Sequence, residues 1–83
     1  MIQEYVADLA AQMGIKLSRV SVVDGTLLGC RDSNLLQFYS NGHMESALIY
    51  RQELEDLQNG VMRPKLETRI RTALSSLKML SEA

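Results

Sequence analysis

Residues 2–13 repeat apolar side chains as Ile2, Tyr5, Val6, Leu9 and Met13, while Glu4, Asp8 and Gln12 fall off that line. At 3.6 residues per turn these apolar positions share one face, so the spacing predicts an amphipathic helix. Gly14 ends it. A glycine directly after the last periodic residue can take the left-handed conformation that closes the final turn, with Ile15 folding back onto that turn.

From Leu17 the texture changes to LSRVSVV, then Asp24-Gly25, then TLLGC, which predicts two short strands about a tight turn. The stretch from Leu35 to Tyr50, LLQFYSNGHMESALIY, predicts a β-hairpin. Two β-favouring runs flank Asn41-Gly42, a pair whose residues tolerate positive φ. Successive strand residues point to opposite sides of a sheet. The doublets Val22-Val23, Leu27-Leu28, Leu35-Leu36 and Leu48-Ile49 therefore put apolar surface on both faces. A sheet with helices on one face and water on the other should alternate cleanly. Here either helices cover both faces, or the second face meets another subunit or a partner.

Two registers suit the hairpin. A strict two-residue loop sets Phe38 opposite Glu45 and Leu36 opposite Ala47, mixing polar and apolar residues on each face. A three-residue loop, Ser40-Asn41-Gly42 with Gly42 in a bulge, sets Phe38 opposite Met44 and groups the apolar side chains. The second is the expectation, because a one-residue slip exchanges which side chains are buried. It directs Leu36, Phe38, Met44 and Leu48 toward the helices. Leu35, Tyr39, Ala47 and Ile49 then form the opposite face, the expected site for a partner or second subunit.

After Tyr50 the polar stretch RQELEDLQNG, with Leu54 and Leu57 three apart, predicts a short helix stopped by Asn59-Gly60. Pro64 suits the first position of a new helix, and Leu66, Ile70, Ala73, Leu74, Leu77 and Leu80 continue the periodicity. The expected fold is α+β: an N-terminal helix, an antiparallel meander of three to four strands, a short helix and a longer C-terminal helix. With no repeat or linker, residues 1–83 read as a single small domain.

Composition changes this picture in one respect. The 83 residues include no tryptophan and only four aromatic side chains, three Tyr and one Phe. So short a chain buries only about 60–65 % of its unfolded surface, and self-association is a natural way to bury more. A homodimer is expected. The net charge of −1 is unevenly spread, since residues 1–60 hold four Lys/Arg and eight Asp/Glu, and 61–83 five and two. Such an asymmetry reads as solvated faces, or as two halves that attract one another. A single cysteine rules out an internal disulfide and fits a reducing compartment. Without a basic leader or an apolar run of spanning length, the expected location is cytoplasmic, with no membrane partner.

Candidate chemistry is sparse. His43, the only histidine, sits beside the turn glycine, where it decorates a hairpin tip more readily than it acts as a base. Cys30 ends an apolar strand, as small buried cysteines commonly do. In a meander Asp32 and Cys30 fall at the hairpin end opposite His43, roughly 20 Å away by strand rise, beyond reach as a dyad. Glu53, Glu55 and Asp56 lack calcium-loop spacing, and no Cys or His pair offers a metal site. The dispersed glycines do not build a phosphate loop. No catalytic residue, cofactor or metal is expected.

Two functional readings follow. The first is a non-enzymatic protein-interaction module, adaptor, chaperone-like or regulatory, that pairs with itself or with another protein. The second is a nucleic-acid-binding regulator using Arg63, Lys65, Arg69 and Arg71 of the C-terminal helix. A helical wheel divides those cations, with Lys65 and Arg69 on one margin of the apolar stripe and Arg71 and Lys78 on the other. The face opposite the stripe carries Thr68, Thr72 and Ser75, with Ser76 close by. Such small residues let a second helix or a partner approach closely.

Overall fold

Helix α1 (Ile2–Gln12) forms where the periodicity places it and buries Ile2, Val6, Leu9 and Ala10. Gly14 takes a φ of 76°, and the Ile15 N–H donates back to the Ala10 carbonyl at 2.8 Å, closing the helix and carrying Ile15 into the core. The computed structural model describes residues 2–25, 29 and 32–82. Strands β1 (Arg19–Asp24), β2 (Ser33–Ser40) and β3 (His43–Tyr50) follow. They make one antiparallel sheet in the order β1-β2-β3. The further strand expected over residues 26–30 falls, Gly29 apart, outside the described residues.

The chain then passes from Tyr50 directly into α2 (Arg51–Gln58), and α3 (Pro64–Glu82) begins on its proline. The arrangement is α+β, with the elements in the expected order. Proline suits that first position because its missing N–H has no partner to lose there.

The hairpin corrects the expected register. Asn41 and Gly42 form a two-residue loop with φ of 54° and 81°. Positive φ at both positions is the primed turn whose twist matches the flanking strands. Ser40 therefore faces His43, Phe38 faces Glu45, and Leu36 faces Ala47. The bulged loop would have kept the apolar residues together. It loses because Glu45 tolerates the helix-facing side, half-buried on edge strand β3, where its carboxylate lies beside a groove against α3.

This register changes which residues are buried. Leu36 and Phe38 face the helices as expected, but Ala47 and Ile49, expected on the opposite face, lie in the core at 8 % and 0 % exposure. Met44 and Leu48, expected inside, point the other way. The core joins Leu36, Phe38, Ala47 and Ile49 to Val6 and Leu9 of α1 and to Leu66, Ile70, Leu74 and Leu77 of α3. Val20 and Val22 of β1 and Leu54 and Leu57 of α2 pack around it. All three helices lie on this one side of the sheet, so of the two alternatives, helices on both faces or a second face left for a subunit or partner, the first does not hold among the described residues.

The two registers predict opposite mutational patterns. Phe38→Ala should cost about 3–5 kcal/mol, because the ring is fully enclosed, whereas Met44→Ala should change stability by less than about 1 kcal/mol. Urea unfolding of both variants checks this; a large loss at Met44 would restore the bulged register.

Candidate interaction surface

On the side of the sheet away from the helices the cross-strand partners fall into rows. Val23, Leu35 and Leu48 are neighbours across all three strands. Ser21, Gln37 and Ser46 make the next row, and Arg19, Tyr39 and Met44 the one after. A polar stripe thus separates two apolar bands. The stripe is tied by its own hydrogen bonds, with the hydroxyls of Tyr39 and Ser21 donating to Gln37 Oε1 at 3.0 and 3.4 Å. The Arg19 guanidinium lies 5.7 Å from the Tyr39 ring. Met44 is 46 % exposed here, on a face that no described helix covers.

Of the four residues expected on this face, the structure brings together Leu35 and Tyr39 and removes Ala47 and Ile49 to the core. Sequence reasoning missed Val23, Met44 and Leu48. The default two-residue loop of an Asn-Gly pair was the signal that could have found them.

One end of this surface is held by an ion pair. Arg69 of α3 pairs with Glu53 of α2, donates from Nη1 to the Leu48 carbonyl at 2.6 Å, and sits 5.2 Å from the Tyr50 ring. Glu53 in turn accepts the Tyr50 backbone N–H at 2.9 Å. The pair engages the Tyr50 N–H and one lone pair of the Leu48 carbonyl on the outer edge of β3.

The cations of the second reading are placed as the wheel suggested. Arg63, Lys65 and Arg69 line one cleft of about 640 Å³ with Tyr50, Glu53 and Asp56, while Arg71 is on the other side of α3. Each guanidinium has a carboxylate: Arg63 with Asp56 at 2.7 Å, Arg69 with Glu53, and Arg71 with Glu67 at 3.8 Å. Hydrogen bonds from Gln52 and Arg63 hold the Asp56 carboxyl below the usual carboxylate range. Two of these pairs join the acidic first part of the chain to the basic last part. On the α1 side, Lys78 donates to the Met13 carbonyl at 3.1 Å, near the negative end of that helix.

His43 is exposed at the start of β3, and Asp32 is exposed at the hairpin's other end, where its carbonyl accepts from Arg51. Cys30 lies outside the described residues. No three His, Cys, Asp or Glu side chains converge as a metal site among the described residues. Nor is any described helix long and apolar enough to cross a membrane. Comparison with protein-family models, with curated proteins and with solved structures finds no match for this chain.

The contact between α1 and α3 has its own pH signature. Tyr5 donates to Glu67 Oε1 at 2.9 Å, and burial together with that carboxylate pushes the phenol from 10.0 up to about 12. Because the folded value is the higher one, this stabilisation is complete below pH 10 and is lost as the pH rises toward 12. Thermal midpoints should fall less steeply over that range in Tyr5→Phe than in the parent. Equal slopes would show that Tyr5 is not linked to alkaline unfolding.

Proposed function

We propose that this chain is a small, non-enzymatic, cytoplasmic protein-interaction module that works as a homodimer and receives a partner protein on the face of its sheet that no described helix covers. The observation that carries this reading is the pair of apolar rows, Val23-Leu35-Leu48 and Tyr39-Met44, on a face outside the core. Contiguous apolar surface bounded by polar residues is characteristic of protein interfaces. In the polar stripe between the rows the Ser21 and Tyr39 hydroxyls already donate to Gln37 Oε1, so covering it strands fewer polar groups.

Nucleic acid fits this molecule less well. Its three candidate arginines are engaged with carboxylates, so phosphate contacts would have to displace those partners.

The face is tested by Leu35→Lys and Leu48→Lys, which place charge in one apolar row without touching the core. Proteins captured from the native host by the parent chain should be lost with the double variant, while its circular dichroism stays that of the parent. Undiminished capture of the same proteins would rule this face out.

A further inference from the structure

The outer edge of β3 is a second surface, distinct from the open face. In a two-residue hairpin the residues flanking the turn exchange backbone hydrogen bonds, and bonded pairs then alternate along the ladder. Ser40–His43, Phe38–Glu45, Leu36–Ala47 and Asn34–Ile49 are accordingly the bonded pairs. The backbone groups of Met44, Ser46, Leu48 and Tyr50 point away from β2. The contacts at the far end agree, since the Leu48 carbonyl and the Tyr50 N–H are the groups reached by Arg69 and Glu53. Met44 and Ser46, with the N–H of Leu48, form an open stretch of strand edge. Beside it runs a groove of about 310 Å³, whose α3 wall presents Thr68, Thr72, Ala73 and Ser76.

We propose that a second copy of this chain adds to that edge, β3 against antiparallel β3, about a two-fold axis at Ser46. This deepens the homodimer reading above by naming its surface.

The register follows from charge and hydrogen bonding. Centring the pair on Glu45 would oppose two like carboxylates, which destabilises a ladder. Centring it on Ala47 would require the Tyr50 N–H, which Glu53 already holds. Centring on Ser46 avoids both. Ser46 then bonds Ser46 of the second copy, and Met44 and Leu48 of each copy bond Leu48 and Met44 of the other. The Leu48 carbonyl has a second lone pair for this beyond the one Arg69 takes.

The side chains agree with the same centre. Met44 and Leu48 both lie on the open face, so each apolar row of one copy continues into the other apolar row of the second. The polar rows join through the two Ser46 residues into one stripe. On the helix side Glu45 faces Ala47 of the second copy, so no like charges are opposed. The two α3 helices meet through Thr68, Thr72 and Ser76, whose small side chains permit close approach and whose threonine hydroxyls are already bonded to Pro64 and Thr68 carbonyls.

Proline at position 46 tests the edge selectively, because the N–H it removes points outward and a proline is tolerated on an edge strand. Light scattering should give twice 9.3 kDa for the parent chain at micromolar concentration. Ser46→Pro should weaken self-association roughly 100-fold, the loss expected for two hydrogen bonds at one symmetric centre. Its circular dichroism should stay that of the parent, showing that the fold survives, while its thermal midpoint loses the dimer's concentration dependence. Thr72→Arg, on the exposed side of α3, should be monomeric as well, and it decides the matter if Ser46→Pro fails to fold. In a Cys30→Ser background, Ser46→Cys should be joined copy to copy by a short bismaleimide. A parent chain that stays monomeric overturns both the dimer and its surface. A folded Ser46→Pro or Thr72→Arg variant that remains dimeric, or a dimer whose Ser46→Cys form does not crosslink, overturns the edge alone.

Discussion

The turn at Asn41-Gly42 governs this molecule. Both residues hold positive φ, and the two-residue loop they form sets the register of β2 against β3. Because side chains alternate along a strand, that register assigns every residue of β3 to one face or the other. It sends Ala47 and Ile49 inward, where the chain's only phenylalanine and the leucines of α3 enclose them. It sends Met44, Leu48 and Tyr50 outward. The composition of the open face is therefore a consequence of a local backbone preference, not of the hydrophobic grouping that would most simply have filled the core.

A second constraint acts at the other end of β3. The chain enters α2 without a loop, so Glu53 lies within reach of the Tyr50 N–H, and Arg69 arrives from α3 to pair with Glu53 and to donate to the Leu48 carbonyl. These groups tie three elements together and engage the strand edge where they meet it. Toward the turn no described side chain bonds the edge. Charged or proline residues commonly blunt such edges, and β3 has only Glu45 and His43 there, on the helix side.

Much of the architecture was legible in the residues themselves. The apolar spacing of α1 and α3, Gly14 as a terminator, Pro64 as an initiator and the Asn-Gly hairpin all act through local physics that one sequence carries. The adjacent apolar doublets announced a two-faced sheet, and one face is indeed free of described helices. The register was not legible from hydrophobic grouping, because Glu45 found a half-exposed position beside a groove that the linear sequence does not reveal. That slip alone accounts for the misplacement of Ala47 and Ile49 and the omission of Met44 and Leu48. The division of the α3 cations was visible on a helical wheel, but their carboxylate partners on α2 depend on tertiary packing.

Edge and face together make up the proposed assembly: two copies joined through β3, presenting a continuous sheet with apolar bands on either side of a polar stripe. Amide hydrogen exchange, measured residue by residue at several protein concentrations, tests it most directly. The N–H groups of Glu45, Ala47 and Ile49, bonded to β2, should be protected at every concentration. Those of Met44, Ser46 and Leu48 should be protected in concentrated solution and lose protection on dilution. Rapid exchange at these three positions regardless of concentration would contradict the account.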